Sequence, residues 1–228
     1  MVHAGNYDIY TDYINYYGSD FWTNYTDWDA TDLFKAGLYL APNRKIRFEA
    51  NTHLIFDAQT NNNVKNRFSL FFLSYNNSIE YAHMMIEDNS VEYFIHDDYS
   101  NYINAKGTLI KGCIFNGTPY GNACIGGGCG TNNIYTITDC IFLRNNGIHD
   151  ISYHNTTAGG TDNRCKIYVS KCYGSQKCAF RSYGEATSIT DCIVTGCKFG
   201  EITCYVDAGQ PNENMRLFKF NNTETSIA

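Results

Sequence analysis

Proline is scarce, at three residues in 228, and no Gly/Ser-rich run divides the chain. No interdomain linker is therefore expected, and the length suits one or two domains. No stretch approaches the ~18 consecutive apolar residues of a membrane span, so membrane insertion is not expected. The opening residues Met1-Val2-His3-Ala4-Gly5 lack the basic region and apolar core of a secretory signal. Seventeen basic residues face 23 acidic ones, for a formal charge of −6, which argues against a nucleic-acid or anionic-membrane surface. No cysteine pair has the C-x₂-C spacing of a zinc site, and no metal or cofactor is expected. The Asn-x-Ser/Thr triplets at Asn24, Asn76, Asn116, Asn155 and Asn221 are what a chain rich in Asn and Thr contains by chance.

What is present is a repeated phrase: an aliphatic residue, two polar or small residues, then cysteine. Its copies are Ile110-Lys111-Gly112-Cys113, Ile137-Thr138-Asp139-Cys140, Val169-Ser170-Lys171-Cys172 and Ile189-Thr190-Asp191-Cys192. Two copies continue alike, as Cys113-Ile114-Phe115 and Cys140-Ile141-Phe142. Two share a lead-in, Thr136-Ile137-Thr138-Asp139-Cys140-Ile141 against Ser188-Ile189-Thr190-Asp191-Cys192-Ile193. An uneven period of 20 to 32 residues is what a solenoid shows when its turns carry loops of different length.

Each copy reads as one coil of a parallel β-helix. A corner lets Ile110 and Cys113 both face inward although they are three apart. Phe115 follows by strand alternation. Stacking then gives internal ladders of aliphatic residues and of cysteines, and no coil buries its inner face alone. Cysteine suits such a ladder because it is small and commonly buried, so reduced thiols are expected. The 19 tyrosines and 14 phenylalanines suit sheet packing, and tyrosine also stacks on sugar rings.

Residues 1–36 read as an N-terminal cap. Ile9, Tyr13 and Tyr16/Tyr17 lie at helical spacing before Gly18, and Trp22 and Trp28 fit the same plug. Residues 37–228 read as the β-helix. Leu38-Tyr39-Leu40, Ile46-Arg47-Phe48-Glu49 and His53-Leu54-Ile55-Phe56 make one complete coil of three short strands. Strands follow at Phe68–Leu73, Met84–Ile86 and Val91–Ile95; His96-Asp97-Asp98 reads as a solvated corner. Met215–Phe220 reads as one more strand with no cap after it, consistent with a continuing chain or a covering subunit.

The run Gly5-Asn6-Tyr7-Asp8-Ile9-Tyr10, the coil from Gly37 to Phe48, and Gly147-Ile148-His149-Asp150-Ile151-Ser152-Tyr153-His154-Asn155 resemble the pectin-lyase-like right-handed β-helices of phage and prophage tail proteins. The resemblance spans nearly the whole chain. It implies a homotrimeric tailspike, tail-fibre or baseplate-associated protein in the virion tail, in contact with other tail proteins and with host-surface polysaccharide. Some members of that group cleave the polysaccharide and others only bind it.

Alternation locates a candidate site on one outer sheet. With Ile151 inward, His149 and Tyr153 go inward, while Asp150, Ser152 and His154 face solvent. In the next coil Arg181 and Tyr183 face out; in the one after, Glu201, Thr203, Tyr205 and Asp207 do. Gly126, Gly127 and Gly128 leave room one coil earlier. Tyr183 and Tyr205 would form a sugar platform, with His154 and Arg181 binding hydroxyl or acidic groups. Asp150 with Glu201 or Asp207 are the carboxylates available to a hydrolase, which needs two of them about 5–9.5 Å apart. A lyase would need Arg181 beside Asp150 or His154. The ordinary alternative is a solvated face with cross-strand ion pairs. A metal shared by His149, Asp150 and His154 is disfavoured, because His149 and His154 point to opposite faces of a strand. Neither a polygalacturonase-type set of paired aspartates with Gly-His-Gly nor pectate-lyase-type calcium aspartates is present. Binding is thus favoured over depolymerisation, and a surface adhesin on the same fold is a third alternative.

Overall fold

The computed structural model describes residues 1–17, 36–57, 69–74, 76–97, 107–121, 123–129, 134–155, 164–182, 189–206 and 215–225. A strand, β1 (Gly5–Asp8), and a helix, α1 (Ile9–Tyr17), come first. Three-strand coils then follow in chain order. They are β2 (Ala36–Leu40), β3 (Lys45–Arg47), β4 (Thr52–Phe56); β5 (Ser69–Leu73), β6 (Ser78–Glu80), β7 (His83–Ile86); β8 (Tyr93–Asp97), β9 (Thr108–Lys111), β10 (Ile114–Asn116); and β11 (Ala123–Cys129), β12 (Ile134–Thr138), β13 (Ile141–Leu143). The last three coils are β14 (His149–Asn155), β15 (Arg164–Ser170) and a bridge at Tyr173; β16 (Lys177–Ser182), β17 (Ile189–Thr195), β18 (Lys198–Phe199); and β19 (Glu201–Val206), β20 (Met215–Phe220), β21 (Thr223–Glu224).

Among the described residues every strand pairs in parallel with its counterpart one coil away, and the stacked coils form a parallel β-helix with three faces. Sheet I runs β1-β4-β7-β10-β13 and continues through Tyr173 to β18-β21. Sheet II runs β2-β5-β8-β11-β14-β16-β19, and sheet III runs β3-β6-β9-β12-β15-β17-β20.

The expected ladders are present, with one correction of register. Ile46, Ile79, Ile110, Ile137, Val169 and Val194 stack in sheet III. Val194, not Ile189, is thus the partner of Val169, and the fourth phrase is Val194-Thr195-Gly196-Cys197. The likeness of Ser188–Ile193 to Thr136–Ile141 misleads because β17 runs straight through Asp191. It turns only at Gly196, where φ is +63°. Cys192 instead sits beside Ile167 and Leu217. The cysteine ladder proper is Cys113, Cys140, Cys172 and Cys197. The nine cysteines with described side chains are free thiols, eight of them buried.

Each ladder thiol points at the carbonyl two residues before it, as Cys140 Sγ to Thr138 O at 3.3 Å and Cys172 Sγ to Ser170 O at 3.3 Å. Cysteine therefore fills the corner and also supplies a weak donor to it. Beside it Phe115 stacks on Phe142, with centroids 4.9 Å apart and planes 9° apart, and edge-on against Phe94 at 5.5 Å. Rings, aliphatics and thiols interlock along one continuous core.

The corner has its own ladder. Tyr81, Gly112, Asp139, Lys171, Gly196 and Asn221 all have φ between +52° and +63°. The amides of the first five donate to the next coil: Tyr81 N to Lys111 O, Gly112 N to Thr138 O, Asp139 N to Ser170 O, Lys171 N to Thr195 O and Gly196 N to Phe220 O. This left-handed conformation turns the chain inward in two residues while keeping its amide in the inter-coil hydrogen-bond row. Glycine adopts it without steric cost; other residues do so at about 1–2 kcal/mol.

The helix covers the first coil. Asp8 caps α1 through Thr11 N at 3.0 Å and Thr11 Oγ1 at 2.8 Å. The helix packs on β4 and β2, burying Ile9 and setting Tyr10 edge-on to Phe56 at 5.4 Å. The side chains of Tyr13, Tyr16 and Tyr17, and all of Gly18, Trp22 and Trp28, lie outside the described residues. The last coil carries polar side chains at two ladder positions. Lys219 takes the ladder place of Val194, and Glu224 that of Phe199. Lys219 Nζ bonds Glu224 Oε1 at 2.6 Å and Ile202 O at 3.2 Å, and Asn222 bonds the Cys197 amide and Val194 carbonyl at 2.9 Å each. Polar groups thus replace apolar ones at these ladder positions of the last coil.

The two corner glycines form a matched test. A Cβ at Gly196 meets nothing within 4 Å, whereas one at Gly112 lies 2.5 Å from Tyr81 Cδ1. Gly196→Ala is expected to cost about 1 kcal/mol in urea unfolding, from φ alone. Gly112→Ala is expected to cost roughly 2 kcal/mol or more, because the Tyr81 ring must also move.

Candidate functional site

The outer face of sheet II holds the candidate site, and strand register decides which residues share it. His154 on β14, Arg181 on β16 and Tyr205 on β19 are direct partners across three adjacent strands. Gly128 on β11 precedes His154 in the same row. All three side chains face outward and are partly exposed, as alternation requires. Glu201 also faces outward, but Lys177 engages it at 2.7 Å. Tyr183 and Asp207 lie outside the described residues.

Asp150 is a correction. Its side chain is fully buried, not solvent-facing. A bulge between His149 and Ile151 directs two consecutive residues, Asp150 and Ile151, into the core. Asn145 Nδ2 donates to Asp150 Oδ1 at 2.7 Å and Gln176 N to Oδ2 at 2.8 Å. The carboxyl fits there because residue 174, between Phe142 and Phe199 in the aromatic ladder, is glycine; a Cβ at Gly174 would lie 2.0 Å from Asp150 Oδ2. Burial pushes the carboxyl up to about 6, against the pull of those two hydrogen bonds.

The same bulge reverses His149. Expected inside, it lies on the outer face, 7% exposed, with its ring near-parallel to that of Tyr205 (14°, centroids 6.4 Å apart). Lys177 and Glu201 continue its row.

Two more expectations change in the two coils before β14. Gly126 does not leave open space: a Cβ there would sit 2.6 Å from Tyr93 Cε1, so the Tyr93 ring already covers it. His96 is a buried member of β8 rather than a solvated corner, flanked by Tyr93 at 4.7 Å and Phe72 at 5.5 Å. Burial first, and the nearby His154 second, lower its imidazole to about 3.

The face is therefore a floor of small residues, Gly126, Gly128, Ser152, Ala179 and Thr203, edged by aromatic and imidazole rings and by the cations Lys177 and Arg181. The outward place of His149 in this frame escaped sequence reading, because a bulge changes strand parity without any residue signature; Tyr93 and Lys177 carry no motif that marks them. Glu201 is the only outward carboxylate on the described parts of β14, β16 and β19. Those parts do not supply the two opposed carboxylates of a glycoside hydrolase. The arrangement can stack a ring and donate several hydrogen bonds.

The chain matches no family model, no curated protein and no solved structure.

Asp150 and His96 oppose each other in pH dependence. A carboxyl raised from 3.8 to about 6 makes folding less favourable as pH rises through that interval. An imidazole lowered from 6.5 to about 3 makes folding more favourable as pH rises through its own, overlapping interval. Their slopes oppose each other where the two intervals overlap. Asp150→Asn removes one side, so the stability difference between variant and wild type should grow by about 1.4 kcal/mol per pH unit from pH 4 to 6. Urea unfolding at a series of pH values measures this, and a constant difference would show that Asp150 does not titrate there.

Proposed function

We propose that this β-helix is a host-surface binding module of a phage or prophage tail, holding polysaccharide on the outer face of sheet II. The observation that carries the reading is the in-register row of His154, Arg181 and Tyr205, with the Tyr205 ring alongside His149, over a floor of small residues. A sugar ring has an apolar face for Tyr205 and hydroxyl or acid groups for Arg181 and His154. Strands stacked at about 4.8 Å present such groups repeatedly along the solenoid, which suits a polymer better than a small molecule. Binding without cleavage is favoured because Asp150 is inside the core and Glu201 is paired with Lys177.

In this reading the chain works as a homotrimer within the virion tail, next to other tail proteins. The outer face of sheet I supports such association: Ile141, Leu143 and Tyr173 are 39–53% exposed on it, in register with the partly exposed Ile114 and Met85 of earlier coils.

The test is retention on immobilised bacterial capsular, O-antigen and wall polysaccharides, scored together with reducing ends and unsaturated uronates. Retention without new chain ends is expected, weakened about tenfold by Tyr205→Ala and by Arg181→Gln, or ~1.4 kcal/mol each. New chain ends would make the protein a depolymerase. Retention unaffected by either substitution would remove the site from sheet II.

A further inference from the structure

His53 on β4 and His83 on β7 are direct partners in adjacent coils, on the outer face of sheet I. Their ring centroids lie 4.6 Å apart, with planes inclined at 58°. His53 Nδ1 and His83 Nε2 are both shielded from water, and neither has a hydrogen-bond partner. Shielded ring nitrogens usually find a partner, and leaving one unmet costs about 1–3 kcal/mol. Two such atoms on one contacting pair point to a shared third party.

We propose that His53 and His83 form a two-imidazole chelate for a divalent transition-metal ion, clipping the first coil to the second beside the helical cap. Metal–imidazole bonds are about 2.0–2.1 Å, so one ion holds two ring nitrogens roughly 3 Å apart. Small side-chain rotations bring rings 4.6 Å apart to that geometry. The ligands must be neutral imidazoles, so binding weakens as pH falls through the ordinary histidine range. Asn6, the in-register neighbour of His53 on β1, can supply a carboxamide oxygen, and water the remaining positions. Among the described residues no set of three His, Cys, Asp or Glu side chains converges on a metal site. A two-imidazole site should therefore follow the intrinsic order Cu²⁺ above Ni²⁺ above Co²⁺.

The test is titration of the full chain with CuCl₂ and NiCl₂, following the six histidine ring resonances and the urea midpoint. Paramagnetic broadening should strike His53 and His83 before His96, His149 or His154, and apart from His3, which chelates Cu²⁺ and Ni²⁺ together with the free amino terminus; Ni²⁺ should raise the midpoint, because only the folded chain aligns the pair. His83→Asn and His53→Asn should each weaken Ni²⁺ binding at least tenfold and abolish the rise. If His83→Asn fails to fold, His83→Gln serves the same purpose. Broadening that spares His53 and His83, or a midpoint rise unchanged in both variants, would overturn the proposal. So would the absence of any binding at millimolar metal.

Discussion

The inner face of one coil is too narrow to bury itself. Each coil is a triangle of short strands whose inward residues are covered only by the coils on either side. Cys140 has Cys113 and Cys172 as its neighbours; Phe142 has Phe115 against it and Phe199 beyond Gly174. Burial worth roughly 1.5–3 kcal/mol for each large apolar side chain is therefore shared between coils, and stability is a property of stacking. The ends follow from the same constraint. One is covered by α1; at the other, Lys219, Asn222 and Glu224 stand where Val, Cys and Phe stand in the coil before.

The architecture was legible because stacking leaves a repeat in the chain. Aliphatic-x-x-Cys marked the corner, and the strands from Leu38 to Phe56 and from Met215 to Phe220 fall where alternation puts them. The register of the fourth coil was not legible. Two nearly identical hexapeptides are read differently depending on whether the chain turns, and Asp139 takes the left-handed corner while Asp191 continues a strand. The place of Lys219 and Glu224 was not legible for a related reason: they look like outward residues until the register sets them at ladder positions of Val194 and Phe199.

The candidate site shows the same limit at finer grain. His154, Arg181, Tyr205 and Glu201 were placed on one face correctly, since no bulge separates them from their inward neighbours. Asp150 and His149 were exchanged, because a single bulge beside them reverses parity. The reversal has a chemical consequence. A carboxylate moves from the surface into the gap left by Gly174, and an imidazole moves out beside the Tyr205 ring. The face thereby becomes richer in rings and donors and poorer in carboxylates, which is the physical basis for reading it as a binding surface.

The stacking constraint is tested most directly at the corners, which in an isolated turn would be open to water. Hydrogen exchange of the amides of Gly112, Asp139, Lys171 and Gly196 separates the cases. If each amide is held by the carbonyl of the next coil, these turn residues exchange as slowly as the buried strands beside them, through opening of the stack. Exchange at the rates of unprotected loops would contradict inter-coil pairing, and with it the coil-on-coil packing from which both the core and the candidate face are built.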